Sequence, residues 1–463
     1  MKNKRISDKR LMLFISLVFY IIWWIIDGPR LYPDSGSYIN AYNVSDIPLY
    51  RIFLAVCRML PFAGSFVYEG YIGLYHASLI QNLLWAYMTY KLAVFTADFF
   101  KDKKYAVVSA WCAIIFQFST AVLNRFFVPH RSLYSNDILT EAIAMPLFIL
   151  CLIRLFYVVS GEKKSDLVIL ALDITALLLL RKQLTIIIPI GILILFIYKV
   201  LLKPKRKIST FVISLILTAA AYALSIFITV SYNHILYGIP TRAGSSEAFL
   251  CNLLYIADEN DEEVFKDDEE REKEWFKEII NMQRKRGAML AEIGKDKSFF
   301  ARRDHYSESY DVIGYEIVHP VIEKAAKDQG ITDINESYLY LRSAEKDLTG
   351  ILMRRDLTEY VKQAGLNFIN ALMFSNAKSS PVFLPISMLL YAFYIGFMII
   401  CGTRKGIYGE VFIFSFIVII SIFANAALVG LTIFPQGRYM IYCMGLFYTM
   451  LTVMGIKIFL NKE

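Results

Sequence analysis

The side chains best suited to chemistry in this sequence are a handful of arginines and acids set between apolar runs. Arg30, Arg51, Arg58, Arg125, Arg131, Arg181 with Lys182, and Arg438 fall in one alternating set of the polar connections. The other set carries mainly lysine: Lys101, Lys103 and Lys104, then Lys163 and Lys164, then Lys203, Lys205, Arg206 and Lys207, and last Arg404 and Lys405. A guanidinium offers a planar fork that grips phosphate oxygens bidentately, whereas an ammonium is a point charge that lipid headgroups accept. The arginine set therefore predicts an anionic ligand held on one side of the protein. The competing account is that each arginine pairs with a neighbouring carboxylate or lays its stem along the bilayer to reach lipid phosphates.

Acids near the same connections are fewer. Asp34 follows Pro33 at the end of the first apolar run and precedes Ser35, Ser37 and Tyr38. Asp137 and Glu141 lead into a later run in SNDILTEAIAMPLF, and their spacing of four predicts one shared helical face. A carboxylate just below a membrane interface is costly unless paired, hydrated or used, which makes Glu141 a functional candidate. A helix-capping role, favoured by the helix dipole, competes for both acids. Two carboxylates on one helical turn could also share a divalent ion, although nothing in the sequence requires a metal.

Positioning these residues falls to membrane helices. Of the 463 residues 57% are hydrophobic and 19% charged, which places the chain outside the soluble globular class. Apolar runs near 11–27, 72–96, 105–123, 137–159, 167–180, 184–202, 209–230, 381–401, 410–431 and 438–458 predict about ten spans. The fold expected is an all-α polytopic membrane protein of about ten transmembrane helices. Lysine-rich connections alternate, so both termini are expected in the cytoplasm and the arginine-bearing loops outside. The runs at 167–180 and 184–202, separated by Arg181, Lys182 and Gln183, predict a helical hairpin with its tip outside. Residues 1–230 form the first seven spans, 231–380 a mainly helical extracytoplasmic domain, and 381–463 the last three spans. Within that domain, the acidic stretch from Asp258 ends in Trp275, Phe276, Ile279 and Ile280 at helical spacing, which predicts a solvated amphipathic helix. The lysine-rich start followed by an apolar run lacks a small-residue cleavage site, so we read an uncleaved first span.

Several classes of function find no home here. The net charge of +8 is accounted for by loop topology and does not call for nucleic acid. His76, His130, His234, His305 and His319 lack metal-ligand spacing, and the six cysteines contain no Cys-x-x-Cys pair. No glycine-rich phosphate loop or nucleophile elbow is present, so no nucleotide cofactor is expected and any donor should be a lipid.

The motif Pro33-Asp34-Ser35-Gly36-Ser37-Tyr38 after the first span resembles the C-type superfamily of integral-membrane glycosyltransferases (GT-C). Further likenesses are the amphipathic segment from Ile47, the acidic opening Asn136-Asp137-Ile138-Leu139-Thr140-Glu141, the arginine at the hairpin tip in Leu180-Arg181-Lys182-Gln183, and the late Arg438-Tyr439. They cover residues 1 to about 230 and 381 to 463. The sequence departs from the family in having Asp34 alone where a pair of acids is usual, and in Arg51-Ile52-Phe53-Leu54 where Arg-x-Pro-Gly-Tyr-Pro is common. Residues 231–380 match no module of that superfamily that we can name.

The resemblance implies a GT-C-like fold and sugar transfer from a polyprenyl-phosphate-linked donor to an extracytoplasmic acceptor, whether glycan, lipid or protein. It implies Asp34 as the catalytic base, deprotonating an acceptor hydroxyl during an inverting displacement. Arg181 and Arg438, at outer helix ends where a lipid phosphate sits, become the phosphate-binding candidates. Asp137 and Glu141 would orient the acceptor or a metal, with Tyr38, Arg51, Lys182 and Tyr439 in support. Two other readings remain: a lipid-linked polysaccharide polymerase or ligase, and a secondary transporter or flippase. The second would place its polar residues near the bilayer midplane rather than at one face.

Overall fold

The computed structural model describes residues 9–127, 132–161, 163–202, 204–242, 244, 246–293, 297–355, 357–407 and 409–460. His130, Arg131 and Lys203 lie outside the described residues, as do the side chains of Lys164, Lys205, Arg206, Lys207 and Lys405. The described residues are nearly all helical, and the strands among them are one short hairpin, Val67–Tyr68 against Tyr71–Ile72.

Among the described residues, eight helices are long and apolar enough to cross a membrane: Lys9–Asp27, Lys103–Leu123, Glu141–Ser160, Lys182–Leu201, Ile208–Tyr237, Phe383–Arg404, Glu410–Thr432 and Gly437–Leu460. Their length and composition are those of a polytopic helical membrane protein. The other two expected runs are also helices. Leu74–Ala97 has 24 residues but turns Gln81, Asn82, Thr89 and Thr96 into the interior, which makes it more polar than the rest. Lys164–Leu180 has only 17 residues. Arg181 adopts an extended backbone and breaks the helix between Lys164–Leu180 and Lys182–Leu201, and Lys164–Leu180 packs mainly on Pro204–Tyr237 and Glu141–Ser160.

One expectation about the fourth run is corrected. Its helix begins at Glu141, not Asp137. The backbone just before it is spent elsewhere: the Arg30 N–H donates to the Asn136 carbonyl at 2.9 Å, and the Ile138 N–H donates to the Arg30 carbonyl at 2.8 Å, forming a parallel bridge. With those groups committed across the chain, residues 136–138 cannot start a helix.

Two apolar clusters organise the molecule. The larger joins the membrane helices; the smaller gathers Leu250, Leu254, Phe276, Ile279, Ile313, Ile317, Ile322 and Leu348 from the polar stretch. The helix Glu270–Arg286 buries Trp275, Phe276, Ile279 and Ile280, as its spacing predicts. Helix Thr358–Asn376, whose polarity put it with the 231–380 stretch, packs along Glu410–Thr432 and adds Ala371 and Leu372 to the membrane cluster. Its amides Gln363 and Asn367 are buried and bonded: Gln363 donates to Asn367 at 3.1 Å, and Asn367 donates to the Gly430 carbonyl at 3.3 Å.

Gly430 is where these two helices touch. A Cβ there would stand 2.8 Å from the Phe368 nitrogen and 3.0 Å from the Ala364 carbonyl oxygen. Both are backbone atoms that cannot swing away. Gly430→Val is therefore expected to cost about 1–3 kcal/mol of stability through overpacking. A thermal melt of the purified protein in nanodiscs checks this, and an unchanged midpoint would mean that the helices can part freely.

Candidate functional site

Asp34, Glu141, Arg181, Arg438 and Tyr439 lie far apart in sequence, yet the fold brings them into one cluster. Asp34 immediately precedes the short helix Ser35–Asn40, which follows the first long helix. Ser35 fixes this segment, donating from its hydroxyl to the Ile138 carbonyl at 2.8 Å and accepting from the Tyr32 N–H at 2.8 Å. Glu141 opens its helix, Arg181 is the extended residue between two helices, and Arg438 and Tyr439 sit in the first turn of the last helix.

Two ion pairs define the centre. Arg438 Nη1 meets Asp34 Oδ2 at 2.8 Å, and Arg181 Nη1 meets Glu141 Oε1 at 2.5 Å. They differ in access: the Asp34 side chain is 44% exposed and the Glu141 side chain 2%. Tyr439 lies between the cations, its ring centre 4.9 Å from the Arg181 guanidinium carbon and 5.0 Å from that of Arg438. The Tyr439 hydroxyl also accepts from Arg438 Nη2 at 3.0 Å. Two guanidiniums stacked on one ring and neutralised by two carboxylates form a group with no net charge. Releasing the exposed carboxylate from its arginine leaves a net positive site for an anion.

Neutral residues that sequence reasoning missed hold this geometry. Gln436 accepts from Arg438 Nε at 2.8 Å, and Gln183 accepts from Arg181 Nε at 3.1 Å. Thr140 accepts from Arg181 Nη1 at 3.4 Å and donates to Glu141 Oε2 at 3.0 Å. Gln183 donates to Asn425 at 2.7 Å and to the Tyr439 carbonyl at 2.8 Å, a carbonyl to which Asn425 also donates at 2.8 Å. Asn425 was detectable in principle, as an amide inside an apolar run.

Of the remaining cations Arg125 and Lys182 follow the pairing account, as Arg181 and Arg438 also do, whereas Arg51 and Arg58 donate to neutral oxygens. Arg125 pairs with Asp27, Arg58 donates to the Ile39 carbonyl, and the Arg30 backbone bridges to residues 136–138. Arg51 donates to the Asn43 carbonyl at 2.5 Å and to the Tyr237 hydroxyl at 3.3 Å, while Lys182 pairs with Asp46. Arg51 and Lys182 thus tether the loop after Asp34 rather than join the cluster. Tyr38 packs edge-on against buried Tyr50 at 5.4 Å on the helix that follows Asp34.

Asp137 is the main correction among the candidates. Lying ahead of the helix, it does not share a helical face with Glu141. It is wholly buried and accepts from the Ser132 hydroxyl at 2.5 Å, while its carbonyl accepts from Gln81 at 3.0 Å. Burial pushes its carboxyl up to about 8 against the opposing Ser132 hydrogen bond. The helical turn on which Asp137 and Glu141 could have shared a divalent ion is absent. Among the described residues, Glu247, His319 and Glu345 do bring ligand-type atoms within 4.8 Å of one another. Arg342 lies against both glutamates, at 2.9 Å and 2.8 Å, so a guanidinium already supplies the positive charge there.

The helical unit from the polar stretch sits directly on the segment that carries Arg438. Phe434, three residues before Gly437, packs against the rings of Tyr310 at 4.9 Å and Tyr306 at 6.2 Å. Asn252 donates to the Leu431 carbonyl at 3.2 Å. Asp311 shares the field of the cluster: desolvation raises its carboxyl, Arg438 opposes the rise, and Asp34 and Glu247 add to it. No protein-family model, no curated protein and no solved structure matches the chain.

Proposed function

We propose that the chain is a membrane glycosyltransferase of GT-C type that moves a sugar from a polyprenyl-phosphate-linked donor to an extracytoplasmic acceptor. The observation that carries the reading is an exposed carboxylate, Asp34, paired to one of two arginines that share Tyr439 at one end of a helical bundle. In this reading the protein lies in the cell membrane with about ten spans and cytoplasmic termini, and the Asp34 cluster and residues 231–380 face outside. Membrane lipids surround the spans, and nucleic acid has no part.

The donor phosphate enters against Arg438 and draws it from Asp34. Freed of its cation, Asp34 takes the proton from an acceptor hydroxyl while that oxygen attacks the anomeric carbon. The carbon–phosphate oxygen bond breaks, polyprenyl phosphate leaves, and Arg438 and Arg181 stabilise the charge that develops on it. Glu141, buried beneath Arg181, holds that guanidinium in place and touches no substrate. Tyr439 keeps the two cations at a fixed separation.

Purified protein in nanodiscs is expected to release polyprenyl phosphate from one member of a panel of polyprenyl-phosphate sugars when membrane extract supplies the acceptor. Arg438→Ala should raise the donor KM roughly tenfold to hundredfold, the worth of a lost charge-assisted hydrogen bond. No release across the panel would overturn the proposal. An unchanged KM in the variant would remove Arg438 from the phosphate site.

A further inference from the structure

The surface next to Asp34 has a character opposite to that of the arginines. Helix Phe299–Asp311 runs into a π-helical segment, Val312–Val318, and then into helix His319–Asp328. π-Helical turns are uncommon, and they concentrate at functional positions because the wider turn redirects side chains. Here the wider turn leaves Tyr315 57% exposed, while Ile313, Ile317 and Val318 on either side are buried. The Tyr315 ring meets the His319 ring edge-on, with centres 5.2 Å apart. Gly314 makes room for Glu247: a Cβ there would stand 3.4 Å from Glu247 Oε1. His319 Nε2 lies 3.9 Å from the other oxygen of the same carboxylate. Tyr315 is therefore the exposed member of a packed group, with His319 and Glu247 largely buried beneath it and Glu247 paired to Arg342 at 2.9 Å. Asp311 lies on the preceding turn, and the stacking of Tyr310 on Phe434 ties that turn to the segment bearing Arg438.

We propose that Tyr315 and Asp311 form the acceptor subsite, and that the acceptor they take is a neutral, hydroxyl-rich carbohydrate. This rests on the transferase reading above. An exposed aromatic face packs against the apolar C–H face of a pyranose ring, and carboxylate oxygens accept hydrogen bonds from its hydroxyls. An acceptor carrying phosphate or carboxylate would meet Asp34 and Asp311 together, and like charges at close range disfavour it. The site thus divides by charge, with arginines for the anionic donor and acids with an aromatic platform for the neutral acceptor. The acceptor hydroxyl would be delivered to Asp34 from the side of the helical unit.

The test measures binding apart from transfer. Saturation-transfer NMR on the full chain in nanodiscs would use neutral hexose oligosaccharides of several linkages and matched uronic-acid oligosaccharides as probes. Wild type is expected to bind at least one neutral probe, and to bind uronic-acid probes about tenfold more weakly or not at all. Tyr315→Ala should weaken neutral binding about tenfold, and Tyr315→Phe should keep it, because stacking needs the ring and not the hydroxyl. Equal binding by Tyr315→Ala and wild type, equal binding of the two probe classes, or no neutral binding would each overturn the proposal. The two readings fail separately. Sugar transfer with an unchanged acceptor KM in Tyr315→Ala would remove the subsite and keep the transferase. Tyr315-dependent binding in a chain that transfers no sugar would keep a carbohydrate site and remove the transferase.

Discussion

Asp34→Asn is expected to lower kcat for sugar transfer about 10²–10⁴-fold, the usual worth of a positioned general base. The donor KM should not rise with it. In the resting structure Asp34 competes for Arg438 at 2.8 Å, so removing its charge leaves that guanidinium more available to a donor phosphate. A falling kcat with a steady or lower donor KM separates a base from a donor-binding residue, whose loss raises the donor KM. Asn keeps the size of Asp and the side chain is 44% exposed, so loss of fold is not the expected cause. Steady-state kinetics with varied donor gives both numbers, and an unchanged kcat would discard Asp34 as base.

The second large effect falls on stability. Glu141 is 2% exposed and pairs with Arg181, itself only 16% exposed. Glu141→Ala strands a guanidinium in a site with little water. Breaking one side of a buried pair costs about 3–5 kcal/mol. Removing both charges in Glu141→Ala/Arg181→Met should restore part of that loss, because no buried charge is then left unmatched. Thermal unfolding of the three proteins in nanodiscs measures the difference. A single variant that melts with wild type would show that Arg181 finds another anion or water.

The two effects show what the sequence could and could not convey. Apolar run length was enough to locate the helices, since a bilayer demands an unbroken apolar stretch of about 20 residues. Arg181 and Arg438 stood out because arginine is out of place among loops otherwise sorted by charge. Their convergence on Tyr439 was not legible, because residues 181 and 439 meet only after many helices have packed. Asp137 misled for a local reason: its spacing from Glu141 matched a helical turn, but the Arg30 backbone captured residues 136–138 first. Helix Thr358–Asn376 reads as part of the polar 231–380 stretch, yet its Gln363, Asn367 and Asn370 are almost fully buried. Tyr315 carried no signal at all, because the π-helical turn that exposes it comes from the packing of its neighbours.

The central claim is transfer of a sugar from polyprenyl phosphate by direct displacement. It is tested most directly by incubating wild-type protein with radiolabelled polyprenyl-phosphate sugars of known anomeric configuration and membrane extract, then determining the configuration of the new linkage. The account predicts label in the acceptor with the anomeric centre inverted. Label transferred with retention would contradict the displacement by an Asp34-activated hydroxyl, and no transfer from any donor would contradict the claim itself.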